Sequence, residues 1–261
     1  MKTPALLFGP IAVILIATTG CVNPFQTYYC SDDTVTYAST PITTFSTVEF
    51  AQQCEATITQ SDSFWLSVEI SENISEHLDI DKDGSRVRFS LRNNCTYQNL
   101  TFKVAIGMPV LDGVDASGAS KVTVSGFSSE RNFVAELSGA SSLQGDIACD
   151  NARLNLSGAS KGSISLECDA LGIDLSGASI LECNGSAGNI TCDVSGASKL
   201  KLNKLPCNNV SVDISGASHM YTSPAGTISG DVSGASMLYY YGSPTMGSID
   251  VSGASVVRKA D

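Results

Sequence analysis

The stretch "GIDLSGAS", Gly172 to Ser179, decides how this chain must fold. Its last four residues are not unique: Ser-Gly-Ala-Ser begins at residues 117, 138, 157, 176, 195, 215, 233 and 252. The successive intervals are 21, 19, 19, 19, 20, 18 and 19 residues. A spacing held near 19 marks a repeat architecture, in which one structural unit stacks on the next. The flanks say what the unit is. Ile173 and Leu175 stand three and one residues before the motif, and Leu181 and Cys183 stand two and four after it. The other copies carry mostly apolar residues in the same columns. A period of two is the signature of strand, and no segment of the repeat has the 3.6-residue period of a helix.

Each repeat therefore reads as a strand, a SGAS bend, a second strand and a polar return containing Gly or Pro. The predicted fold class is all-β, a parallel β-solenoid with coils of about 19 residues and roughly three short faces. Coils stack at about 4.8 Å, so seven of them make a rod about 35 Å long. Single coils cannot bury their apolar residues, but stacked coils share one core. At the bend, Gly permits an unusual backbone angle. The small Ala is expected to point inward, and the Ser hydroxyls to bond the backbone.

Four segments follow. Residues 1–20 read as a signal peptide: Lys2, then the apolar run "ALLFGPIAVILIA", too short for a comfortable membrane span. The run ends in "TTGC", which makes Cys21 the expected lipidation site of an exported lipoprotein; an ordinary signal peptide or an uncleaved anchor are the alternatives. Residues 21–44, polar and Thr-containing, read as a tether. Residues 45–116 lack SGAS but alternate, and are expected to form irregular coils or an antiparallel cap over the open edge of the solenoid. Residues 117–261 are the SGAS solenoid.

Composition narrows the function. Of 261 residues, 26 are acidic and 15 basic, a net charge of −11, which excludes the basic surface that nucleic acid requires. Nine cysteines less Cys21 leave an even set of eight, which suits disulfides in an exported chain. With no C-x-x-C pair and only two histidines, His77 and His219, a zinc site is not expected.

At "TFKVAIGMPVLDGVDASGASKVTV", followed by serial "DLSGAS", "DVSGAS" and "DISGAS", the chain resembles the head GIN domain family, also described as auto-transporter adhesins. The resemblance spans roughly residues 42 to 257. It implies a right-handed parallel β-helix, often borne on a lipoprotein, and it carries no catalytic residues over. The richness in cysteine departs from the family's pattern.

The column two residues before SGAS holds Asp115, Glu136, Asn155, Asp174, Asp193, Asp213, Asp231 and Asp250. Period two turns these side chains outward, and stacked like charges repel. The row is expected to be solvated by Ser hydroxyls, backbone N–H groups and the nearby Lys121, Lys161 and Lys199. A cation ladder with Ca²⁺ between neighbouring carboxylates is the sharper alternative, with no confident metal site otherwise. Acid–base cleavage of a polysaccharide is a third. A uniform column supplies no distinct acid and base, and no nucleophile motif surrounds either histidine. "DIDKDG" (79–84) imitates a Ca²⁺ loop but has Ser90 where the bidentate Glu belongs, so it reads as a hairpin turn.

Cys149 and Cys168 each lie eleven residues after the start of their SGAS, which stacks them in adjacent coils as a disulfide candidate. Cys183 and Cys192 fall in core columns. Tyr221, Tyr239, Tyr240 and Tyr241 with His219 form an aromatic cluster, and the last strands offer an edge for pairing between copies. The reading is a non-enzymatic, exported, lipid-anchored surface solenoid, an adhesin or envelope organiser. Its alternatives are a polysaccharide-binding or polysaccharide-cleaving β-helix and a Ca²⁺-stabilised module. Glycans, surface proteins and a second copy are the expected partners.

Overall fold

A computed structural model of the protein describes residues 26–39 and 42–261. Residues 117–261 form the predicted stack, a parallel β-solenoid that, with its N-terminal extension, has about eight turns of about 19 residues. The strands before the motif make a leading face: Gly113–Ala116, Phe133–Leu137, Asn151–Leu156 and their successors pair in parallel, coil on coil. The strands after it make a trailing face, from Lys121–Ser128 and Ser142–Ala148 to Val256–Lys259. Lys161–Leu175 and Ile180–Val194 run unbroken through the return, each serving the trailing face of one turn and the leading face of the next. The apolar columns line the interior, where Leu154, Leu181, Val194, Leu200 and Ile214 are fully buried. Each such side chain contributes roughly 1.5–3 kcal/mol.

The corner explains why the four letters repeat. Every SGAS glycine has φ between 68° and 76°, a left-handed conformation that side chains resist. The N–H of the following Ala donates to the glycine carbonyl one coil away at 2.7–2.8 Å. From Gly139 to Gly253, a Cβ would lie 2.4–2.6 Å from that same carbonyl oxygen, so glycine is required twice over. The Ala is exposed, contrary to the inward placement expected of it, because the bend throws it outward. The final Ser is the inward residue: Ser141, Ser160, Ser179 and Ser218 are fully buried. Its hydroxyl turns back on the bend, as when Ser160 Oγ donates to the Ser157 carbonyl at 2.7 Å.

Residues 45–116 form parallel coil strands and antiparallel strands, in layers. Thr47–Phe50 and Glu55–Gln60 form a true coil directly beside the first SGAS coil, in parallel register. Its corner is Ala51-Gln52-Gln53-Cys54: the Ser117 N–H donates to the Phe50 carbonyl at 2.9 Å, and the Lys121 N–H to that of Cys54 at 2.8 Å. Arg86–Leu91 and Phe102–Met108 stack outside that coil, again in parallel. Antiparallel strands then close the edge, Leu78–Asp83 on one face and Trp65–Ser71 on the other. "DIDKDG" is the expected hairpin, turning at Gly84 with φ +56°.

The tether assigned to residues 21–44 is corrected over its described part. Thr34–Ser39 pairs antiparallel with Trp65–Ser71, and Gln26–Tyr29 pairs in parallel with Cys95–Gln98. Val35, Tyr37 and Tyr28 pack on the core, which gives these strands the apolar contacts a tether lacks. The signal segment 1–20 and Cys21 lie outside the described residues. No helix among those residues is long and apolar enough to cross a membrane.

At the far end, Thr245–Val251 and Val256–Lys259 pair only with the preceding coil among the described residues. Val251 is 50% exposed, whereas its stack neighbour Val232 is fully buried.

Candidate functional site

The acidic column is real and longer than the motif copies. Registration aligns Asp115, Glu136, Asn155, Asp174, Asp193, Asp213, Asp231 and Asp250 in single file. The file continues through Glu49 to Arg88. Those two residues escaped the sequence reading because "AQQC" does not look like SGAS. The alternation in "TVEF", with its acid two residues before the corner, is the signal that reveals the hidden repeat.

Arginines of the same face neutralise part of the file. Arg86 lies 3.4 Å from Glu49 and 3.6 Å from Asp115, and Arg88 lies 3.2 Å from Glu49. Arg153 donates to Asp174 at 2.6 Å and to Asn155 at 3.2 Å. Lys121, Lys161 and Lys199, expected to share this task, stand on the trailing face and make no ion pair with the row. Asp193, Asp213, Asp231 and Asp250 have no cationic partner among the described residues. Partial burial raises the Asp193 pKa, and the carboxylates of Asp213 and Asp174 raise it further. Asp115 is raised by burial and then by Glu49 and Glu136, against Arg86 and Arg88.

A shallow groove of about 490 Å³ runs beside the unpaired acids, with Arg153 at one end and Thr191 and Ser211 along it. Among the described residues no three His, Cys, Asp or Glu side chains gather into a group that could hold a metal ion. The reason is geometric. The file gives one carboxylate per coil, and the neighbouring outward column supplies Gly172, Thr191 and Ser211 rather than a third ligand. The aspartates fall into two environments, arginine-paired at Asp115 and Asp174 and without a cationic partner among the described residues from Asp193 to Asp250.

The trailing face has a different character. Its first outward column reads Lys121, Ser142, Lys161, Ile180, Lys199, His219, Met237 and Val256. The next contains Gln144, Ser163, Glu182, Lys201, Tyr221 and Tyr239. Glu182 is held by Lys201 at 3.3 Å and Lys204 at 3.6 Å, and its pKa is lowered by that pairing. Tyr221 and Tyr239 stack with centroids 4.9 Å apart and planes 10° from parallel. The Lys199 ammonium caps them, 5.5 Å from the Tyr221 ring. An open groove of about 250 Å³ crosses this face, lined by Ser142, Gln144, Lys161, Ser163, Ile180 and Glu182.

Cys149 and Cys168 occupy equivalent positions of adjacent coils, immediately past the register pair Ala148 and Glu167, and both carry free thiols. Burial raises their pKa values, to about 11 for Cys149 and about 12 for Cys168, and the Cys149 thiol adds to the rise at Cys168. Ala187 follows Cys168 in that column, as expected. Cys183 and Cys192 are buried in the core as free thiols, and Cys30, Cys54 and Cys95 are free as well. His77 is buried, with Nδ1 3.1 Å from the Tyr97 hydroxyl and the edge of the Tyr28 ring against it. It packs between the Tyr28 and Tyr97 rings.

The family model described as "Putative auto-transporter adhesin, head GIN domain" matches residues 44–244. Solved structures share the fold, three of them as follows. A "putative lipid binding protein" from Parabacteroides distasonis is 16% identical, covers 90% of this chain and 100% of its own, and has a TM-score of 0.83. A "putative adhesin" from Parabacteroides merdae is 19% identical over 90% of this chain and 100% of its own, at 0.79. Another "putative adhesin", from Bacteroides fragilis, is 18% identical over 89% of this chain and 100% of its own, at 0.67. At these identities the likeness speaks for the fold alone. No curated protein matches the chain.

Proposed function

The chain belongs to the head GIN domain family, and on that premise we propose that it is a non-enzymatic adhesion module displayed at the cell surface. The observation that carries this reading is the form of the polar surface. Ligand-facing groups are spread in straight columns over flat sheets, with one equivalent side chain per coil. Such a surface suits an extended partner met at many weak points, whereas catalysis needs a few dissimilar groups converging on one atom. Neighbours described as adhesins are consistent with this assignment.

Display requires export, which the leader-like residues 1–20 supply in this reading, with Cys21 as the lipid-bearing residue. Metabolic labelling with a fatty acid tests the anchor: label lost on Cys21→Ala supports it, and label retained removes it. Binding of the purified protein to an array of glycans and matrix proteins tests adhesion. Selective retention is the expected result. Release of new reducing ends from a polysaccharide would overturn the non-enzymatic reading.

A further inference from the structure

We infer that the trailing face binds a linear anionic polysaccharide carrying one acidic group on every second sugar; this rests on the adhesion reading and adds to it the face and the ligand class. Lys121, Lys161 and Lys199 share one outward column and alternate with Ser142 and Ile180. Since coils stack at about 4.8 Å, the three ammonium groups recur every ~9.6 Å along the rod. That interval is close to two sugar rings laid end to end. No ion pair occupies any of the three among the described residues, while Lys201 and Lys204 are engaged by Glu182, whose charge they cancel.

The 250 Å³ groove is centred on Lys161, from Ser142 in the coil before it to Ile180 in the coil after it, and its lining includes Glu182, whose charge Lys201 and Lys204 offset. Ser142, Gln144 and Ser163 there offer hydroxyl and amide groups to sugar hydroxyls. Ile180, 38% exposed, offers an apolar patch to the C–H face of a ring. The Tyr221–Tyr239 stack extends the track beyond Lys199. Charge selects the face. The unpaired aspartates on the leading face repel a polyanion, and the lysine column attracts it. Each contact is weak and screened by salt, so strength comes from engaging several at once.

The test titrates the full chain with short and long hyaluronan oligosaccharides, using neutral cello-oligosaccharides of matched length as the control. Affinity for hyaluronan is expected to rise with length, to fall with salt and to exceed that for the neutral chain. The triple variant Lys121→Gln, Lys161→Gln, Lys199→Gln, folded by circular dichroism, is expected to lose at least ~10-fold in affinity. The variant Asp193→Asn, Asp213→Asn, Asp231→Asn is expected to keep or gain it. Equal binding of neutral chains, an unaffected lysine variant, or loss confined to the aspartate variant would each overturn the inference. A protein that binds other ligands on the array but not hyaluronan overturns this inference alone. One that binds nothing on the array overturns the adhesion reading as well.

Discussion

The repeat stack from Ser117 onward and the section from Gln26 to Ala116 are built from the same short strands but satisfy their corners by different means. In the stack the corner is closed by one backbone bond, glycine carbonyl to alanine N–H, repeated coil after coil, with the final Ser hydroxyl bonding back onto the bend. The N-terminal section uses individual side chains. Gln52 and Gln53 take positive φ without being glycine, and Gln52 Oε1 accepts from the Leu91 N–H at 3.0 Å. Asn73 clamps the outermost strand, donating to the Tyr29 carbonyl at 2.9 Å and accepting from the Ser31 N–H at 3.0 Å. A backbone rule can be copied indefinitely but allows no variation in its glycine. A side-chain solution is unique to its place and tolerates exchange. The edges follow the same division. The N-terminal edge carries Asp79, Asp81 and Lys82 on an antiparallel strand, which blunts it against further pairing.

The sharpest way to break this contrast is Gly177→Val. It combines a positive φ with a Cβ 2.4 Å from the Gly158 carbonyl oxygen, and the β-branch adds to the clash. A loss of about 4 kcal/mol or more is expected in chemical denaturation. At the divergent corner Gln53→Gly should move the other way, gaining about 1 kcal/mol by relieving an exposed residue at φ +62°. Equal losses at both sites would mean that the two corners share one constraint.

Next in size is the pair Cys149 and Cys168. Treatment with a small-molecule disulfide should join them by two exchange steps, releasing two reduced thiols of the reagent, and remove two alkylatable thiols from the protein. The link closes a loop of about 19 residues, worth about 3 kcal/mol. Because burial holds both thiols protonated at neutral pH, the rate should climb as the pH rises. An unchanged thiol count under alkaline oxidation would sink this expectation.

A smaller effect separates the two ends of the acidic file. Asp193→Asn should stabilise the stack by about 0.5 kcal/mol at pH 7, since the site is solvent-screened. The raised pKa of Asp193 sets the sign: its contribution to stability is full when it is protonated, below the unfolded value, and is lost as the pH rises through the folded value. The gain from Asn should therefore vanish in acid. Glu49→Gln, which strips a partner from Arg86 and Arg88, should give no gain.

The smallest effect is local. Burial lowers the pKa of His77, with Arg92 adding to the shift. Its neutral form thus favours the fold at pH above the ordinary histidine value, and that contribution falls away as the pH drops toward the lowered value. Amide protection factors in Gln26–Tyr29 and Cys95–Gln98 should fall in mild acid while those of the SGAS coils hold. The pH dependence should disappear in His77→Phe.

The family's fold was legible because a solenoid writes its period into the chain. Ile173, Asp174 and Leu175 already say inward, outward, inward, and eight copies of SGAS set the coil length. The hidden coil was not legible, since Gln52 and Gln53 take the positive φ that glycine takes elsewhere, Gln52 with the help of its side-chain bonds. The layers of residues 26–116 were legible only as alternation. Alternation fixes which side of a strand is buried but not which strand lies beside it, so the parallel Thr47–Phe50 and the antiparallel Thr34–Ser39 look alike in sequence. Likewise the acidic row could be read from one column, whereas its arginine partners could not. Arg86 and Arg153 reach it from a neighbouring column and, for Arg86, from an earlier part of the chain that folds against it. The sequence by itself determined the coil, its core columns and the outward row of acids, because each depends on contacts between a residue and its own repeat one period away. The tertiary structure alone decided which charges meet and that the lysines occupy a different face from the acids. Those depend on how the chain turns between strands, and a period of two carries no record of the turn.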